Sequence, residues 1–154
     1  MALRKIVTVG DDILTKVSKE VVATDERTKE LVKDLIDTMK DAEAVGIAGV
    51  QVGILKRVAV VNDGEQQIVL INPKIVKTKG VQSLSEGCLS VPEITGIVDR
   101  PEYLIVKTET LEGKKKKYQA TELLARAISH EIDHMDGILF TSKARELKKD
   151  EEQE

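Results

Sequence analysis

The segment from Thr121 to Gly137 constrains this chain more than any other, because it reads as a helix with hardly a polar face. Leu123, Leu124, Ala127, Ile128 and Met135 make it apolar over much of its circumference, Thr121 stands at its cap position, and Gly137 suits the residue that ends a helix. Such a helix is buried, so the rest of the fold must wrap around it. It also carries both histidines of the chain, in SHEIDHMDG. Positions i and i+4 share a helix face, so His130 and His134 can point at one ion. Glu131 borders that face, where a carboxylate can reach a water on the ion without binding the ion itself. Two histidines that merely pack a core helix, with Glu131 solvated, are the plainer alternative. The placement of both on a helix whose other faces look buried weighs against it.

A catalytic divalent site takes three protein ligands and leaves one position open. Downstream of the helix, Asp136, Glu146 and Asp150 are unattractive candidates on a short tail. Upstream stands SLSEGCLSVPE, in which the sole cysteine, Cys88, lies between Gly87, which lets backbone pass close, and Pro92, which stiffens the exit. A free cysteine is commonly just a small buried hydrophobe. Beside an H-E-x-x-H helix, the ligand reading of Cys88 is favoured. A thiolate lowers the net charge of the metal centre, so bound water is less acidified than in an all-histidine site. A nearby base is then needed, and Glu131 fits that role.

At 154 residues and 17.0 kDa, with no linker composition, residues 1–154 are expected to form one domain. Aromatic residues make up 2% of the chain and tryptophan is absent, so Ile, Val, Leu and Ala must build the core. The net charge of -3 is mixed in sign and argues against a sequence-specific nucleic-acid binder. No stretch approaches the roughly 20 apolar residues of a membrane span, and MALRKIVTVGDD lacks a signal-peptide core. One cysteine suits a reducing compartment, and a cytoplasmic protein is expected.

Thr24 or Asp25 is a plausible N-cap for an amphipathic helix to about Ala42, with Leu31, Val32, Leu35, Ile36 and Met39 on one face. AVGIAGVQVG, from Ala44 to Gly53, is glycine-rich and reads as a loop or tightly approached backbone. RVAVVN and QIVLIN flank the turn at Asn62 to Glu65, and YLIVKTETL and KKKKYQA flank Glu112-Gly113, giving two hairpins. Between them the glycines and prolines predict strands that are short or irregular. Lys114 to Lys117 reads as a solvated edge strand rather than a polyanion site. The tail KARELKKDEEQE is expected to be helix-permissive and frayed.

With these elements in hand the chain resembles peptide deformylases over nearly its full length. The family's glycine-rich motif, its E-G-C-L-S and its H-E-x-D-H appear in order, as AVGIAGVQ (Ala44 to Gln51), EGCLS (Glu86 to Ser90) and HEIDH (His130 to His134). The last two are intact. In the first, Ala44 replaces a glycine, Gly49 replaces the second alanine, and Val50 stands where proline is frequent, whereas Gly46, Ala48 and Gln51 are kept. Glycine for alanine is expected to loosen that backbone.

The resemblance implies an α+β fold of mostly antiparallel β-sheets packed around a central buried helix carrying H-E-x-x-H, with an outer N-terminal helix. It implies removal of the N-formyl group from the N-terminal methionine of nascent polypeptides, with release of formate. Cys88, His130 and His134 would hold the metal, Glu131 would act as base, and the Gln51 amide and the Leu89 N–H would stabilise the oxyanion. Substrate would run along Gly46 and Ile47 and the residues after Cys88, with its methionine in a pocket near Val45 and Ala127. Glu86 would line or order that pocket. Asp133 is expected to pair with Arg100 or Arg126. One thiolate and two imidazoles suit Zn²⁺, Fe²⁺, Co²⁺ or Ni²⁺, and the resemblance implies Fe²⁺, replaceable by nickel or cobalt. Formyl-methionyl peptides are the implied partners, with the ribosome near its exit tunnel as a further one. Competing readings are an H-E-x-x-H peptidase acting on ordinary peptide bonds and a non-catalytic relative with a closed metal site.

Overall fold

The computed structural model describes residues 3–149. The first helix, α1 (Glu26–Asp41), begins where Asp25 accepts a hydrogen bond from the Arg27 N–H at 3.1 Å. Its apolar stripe of Leu31, Val32, Leu35 and Met39 is buried. The glycine-rich segment forms a short strand, β1 (Gly46–Ala48), followed by a 3-10 turn (Gly49–Val52). The first hairpin gives β2 (Val58–Asn62) and β3 (Gln67–Ile71), and with β1 they form an antiparallel sheet in the order β1-β2-β3.

That sheet is apolar on both faces, which is why VAVV reads as a continuous run instead of an alternation. Val58 and Val60 pack with Leu31, Leu35 and Met39 of α1. Ala59 and Val61 face the opposite way, into a second cluster with Leu124, Ala125, Ile128 and Ile132. Those residues belong to α2 (Glu122–Met135), the buried helix expected from the sequence. Thr121 occupies the N-cap position of α2, but its side chain makes no capping bond. At the other end Gly137, at φ 75°, closes the helix: its N–H reaches the His134 carbonyl and the Ile138 N–H reaches the Asp133 carbonyl, at 3.1 and 2.8 Å.

Two further three-stranded sheets complete the fold. β4 (Lys74–Lys79), β7 (Tyr103–Glu109) and β8 (Lys115–Thr121) lie in the order β4-β7-β8, and their inner residues Leu104, Val106 and Ala120 cover the other side of α2. β5 (Gln82–Cys88), β6 (Val91–Arg100) and β9 (Arg145–Lys149) lie in the order β5-β6-β9. The architecture is therefore α+β with antiparallel sheets, as expected.

Two expectations are corrected. The Gly/Pro-punctuated middle is irregular as expected, with register shifts between Glu86 and Cys88 and between Thr95 and Ile97, but it is not short-stranded: it holds the ten residues of β6, because glycine and proline fall at these irregularities instead of ending the strands. The tail is not a fraying helix through Lys149: Lys149 pairs with Ile94, Lys148 with Thr95 and Arg145 with Ile97, so β9 extends an existing sheet. Its remaining residues, 150–154, lie outside the described residues.

The replacement of alanine by Gly49 also has a physical cause, and it is not looseness. A Cβ built there would lie 2.9 Å from the Ile54 carbonyl oxygen and 3.1 Å from that of Lys56. Backbone cannot yield cheaply to such an atom. Restoring the family's alanine by Gly49→Ala is therefore expected to destabilise the protein by about 1–3 kcal/mol, the usual range for overpacking. Urea unfolding of the two proteins at equal metal occupancy measures this, and coincident midpoints would contradict the close approach.

Candidate metal centre

Two chain segments far apart in sequence deliver the ligating groups. The i,i+4 spacing on α2 presents both imidazoles on one face, with ring centroids 4.8 Å apart. The bulged end of β5 brings up the cysteine. His134 Nε2 lies 3.3 Å from Cys88 Sγ and 3.1 Å from His130 Nε2, and the ligating atoms of all three residues fall within 4.8 Å of one another.

This donor set fits a divalent ion. Two ring nitrogens 3.1 Å apart cannot both carry protons that point at each other. The two imidazoles accordingly shift in opposite directions. Burial disfavours the His130 imidazolium, yet hydrogen bonds with Cys88 and Glu86 outweigh that and raise it to about 10. Burial, followed by the charges of His130 and Arg100, pushes His134 down to about 3. A cation among the three donors satisfies all of them without a proton, which is how such ligands ordinarily bind.

Behind the ligands lies a buried charge network. His130 Nδ1 meets Glu86 Oε1 at 2.8 Å, leaving Nε2 turned toward the cysteine and His134. Arg100, with 1% of its side chain exposed, grips Glu86 through two bonds of 2.8 and 3.0 Å, and through Nη1 it reaches Asp133 at 2.5 Å. Lys143 contacts the same Asp133 carboxylate at 3.0 Å. Of the two arginines expected for Asp133, Arg100 is the partner. Burial pulls the Glu86 carboxyl up, and the hydrogen bonds and charges of His130 and Arg100 more than reverse it, holding Glu86 at about 2.

Glu131 is 3% exposed and its Oε1 has no hydrogen-bond partner among the described residues. Burial pushes its carboxyl up to about 7, against the pull of His130 and Arg100. Its other oxygen lies 2.7 Å from where a Cβ on Gly46 would stand, so only glycine leaves room for this carboxylate. Gln51 is equally constrained. Its Oε1 accepts the Ala48 N–H at 2.9 Å, so the amide NH₂ must point the other way, toward Ser90 Oγ at 3.3 Å and Cys88 Sγ at 3.6 Å.

A cavity of about 500 Å³ opens over these groups. Val45, Gly46, Gln51, Glu86, Leu89 and Ala127 line it, together with Cys88, His130 and Glu131, while His134 sits deeper at 1% exposure. Ile47 does not line it. Its side chain is fully buried in the α1 cluster because it alternates with Gly46 and Ala48 along β1, so only its backbone remains available. Sequence reasoning missed Leu123 and Arg126, which also line the cavity. They precede His130 by seven and four residues on the same helix face, a spacing that could have revealed them. It also missed Ser90, whose contact with Gln51 has no local sequence signal.

Comparison with known proteins gives the same result along independent lines. A family model described as polypeptide deformylase matches residues 3–150. The chain is 49% identical over 154 residues to a peptide deformylase of Acetivibrio thermocellus, covering 100% of this chain and 91% of that protein. With the peptide deformylase of Caldicellulosiruptor bescii the identity is 47% over 152 residues, covering 99% and 92%. Among solved structures, the Legionella pneumophila peptide deformylase superposes with a TM-score of 0.89 at 40% identity, covering 94% of this chain and 88% of that one. The Thermotoga maritima enzyme gives 0.90 at 32% identity, covering 94% and 99%. The chain belongs to the polypeptide deformylase family.

Proposed function

We propose that residues 1–154 form one catalytic domain that hydrolyses the N-formyl group from the terminal methionine of nascent polypeptides, releasing formate. The observation that carries this reading is the convergence of Cys88, His130 and the deeper His134 beneath a cavity that Glu131 also lines, with one buried Glu131 oxygen unpartnered among the described residues. Cys88 Sγ and the Nε2 atoms of His130 and His134 would hold the ion, and Fe²⁺ is the ion proposed, with Ni²⁺, Co²⁺ or Zn²⁺ as alternatives for the same ligand set. Such an ion acidifies water and polarises a carbonyl oxygen.

The remaining work falls to the chain. Glu131, held near neutrality by burial, takes a proton from water and returns it to the departing amine. The Gln51 NH₂, fixed in direction by the Ala48 N–H, donates to the oxygen on which negative charge develops, and the Leu89 N–H is the second donor. β1 is the edge strand of its sheet and Gly46 opens onto the cavity, so an extended peptide can pair there as an added strand. Its methionine side chain then lies against Val45, Leu123 and Ala127. Among solved relatives, the Synechococcus elongatus enzyme has been crystallised with actinonin. No helix among the described residues is long and apolar enough to cross a membrane. Action on nascent chains places the protein in the cytoplasm beside the ribosome.

Formate release from a formyl-Met peptide, compared with hydrolysis of the same peptide lacking the formyl group, tests the reading. The metal-loaded protein is expected to act only on the formylated peptide, and Glu131→Ala is expected to lower kcat by at least ~10²-fold, the scale of general-base catalysis. Equal rates for parent and variant would refute the assigned base. Glu86 holds His130 in place, so Glu86→Gln is expected to weaken metal binding by ~10- to 100-fold. Competition for nickel against a chelator measures this, and unchanged affinity would show that Glu86 does not tune the ligand.

A further inference from the structure

Strand register turns the lysines of this chain into an organised surface that the linear sequence does not show. On the sheet β4-β7-β8, Lys74 pairs with Lys107 and Lys107 with Lys117, so three lysines stand in one row across three strands. Lys77 and Lys79 follow on β4, opposite Ile105 and Tyr103, and Lys79 Nζ lies 5.6 Å above the Tyr103 ring. Lys115 adds a sixth cation on β8. All six lysines are exposed on the face opposite the one that packs on α2. Of the run Lys114 to Lys117, Lys116 turns to the inner side and lies over Tyr118 at 4.8 Å. Carboxylates on or beside the outer face include Glu109, which pairs with Lys115 at 3.2 Å and also accepts from Asn72, Glu102 at the far corner near Gly80, and Glu112 in the exposed turn that joins β7 to β8.

Edge protection explains lysines on β4 and β8, which are the outer strands. It does not explain Lys107. That residue sits on the central strand, directly between two other lysines, where like charges destabilise a sheet. A net-acidic chain that keeps this row against its own stability has a charge for an external anion to meet. The face is rigid and flat, with cations about 4.8 Å apart across strands and about 7 Å apart along them. A periodic, stiff array of phosphates matches this fixed spacing better than a fluid lipid surface, since the apolar area among the lysines is small: Val76, at the irregularity of β4, is exposed, while Ile105 and Tyr103 are half-buried.

We propose that the outer face of the β4-β7-β8 sheet binds the phosphate backbone of duplex RNA without reading its sequence. Backbone contacts of this kind position a protein and carry no base information. The inference is independent of the deformylase reading, since these lysines lie outside the cavity.

Fluorescence anisotropy with a labelled 20-base-pair RNA duplex, titrated with the full metal-loaded chain at several salt concentrations between 50 and 200 mM, tests it. The parent is expected to bind, with affinity falling steeply as salt rises. Lys74→Gln/Lys107→Gln/Lys117→Gln is expected to flatten the slope of log K against log salt by about 2 to 3, while formyl-peptide hydrolysis is unchanged. Lys107→Gln alone should flatten it by about 1 and raise the thermal midpoint. A control with Lys29, Lys33 and Lys40 of α1 changed to glutamine removes the same charge elsewhere and should keep the parent slope. No binding at 50 mM salt, an unaltered slope in the triple variant, an equal loss in the control, or binding to phosphatidylserine vesicles in place of RNA would each overturn the proposal.

Discussion

The buried guanidinium of Arg100 is the contact on which the centre depends. It is carried by β6, yet it grips Glu86 on β5 and Asp133 on α2, so one side chain ties the cysteine-bearing sheet to the histidine-bearing helix. Two carboxylates in so dry a place would repel each other, and burial alone would pull the Glu86 carboxyl up. With Arg100 between them and Lys143 behind Asp133, the charges balance, and Glu86 stays ionised to receive the His130 ring. A buried ion pair is weak evidence of stability, but removing one partner leaves an uncompensated charge and is costly. The network therefore fixes position more than it adds energy: it sets where Cys88 arrives relative to the two imidazoles.

Around that network the fold keeps water away from the base while leaving a path for substrate. α2 is covered by the β1-β2-β3 sheet on one side and by β4-β7-β8 on the other. Its face toward β1 carries Glu131, and Gly46 makes room for the carboxylate without admitting a side chain of its own. Burial without a partner is what raises Glu131 toward neutrality, so the same packing that hides the residue also makes it a usable base. Gln51 shows the complementary strategy, with its amide direction forced by one backbone N–H.

The parts of this arrangement that were legible in the sequence are those coded locally. The cap at Asp25, the helical period of α1, the two hairpins and the i,i+4 histidines depend on neighbours within a turn or two. The geometry of the cavity was legible only as far as a motif named its residues. The motif gives Ile47 a place along the substrate backbone, and the two-residue period of β1, which sends its side chain into the core, leaves only its main chain for that contact. The irregularity of β5 and β6 is legible from their glycines and prolines but their length is not, because a local break in pairing near Cys88 looks the same in sequence as the end of a strand. β9 has no apolar pattern, since all five of its residues are exposed, and only its pairing with β6 makes it a strand. The row through Lys107 likewise exists only in the register between strands.

The central claim is that one sulfur and two ring nitrogens hold an ion that still has a position open to solvent. X-ray absorption on the zinc-loaded protein tests it most directly. The account predicts one Zn–S distance of about 2.3 Å, two Zn–N distances of about 2.0–2.1 Å and one light-atom ligand from solvent, with the sulfur signal lost in Cys88→Ala. A spectrum without sulfur, or one satisfied by four ligands from the protein itself, would contradict it.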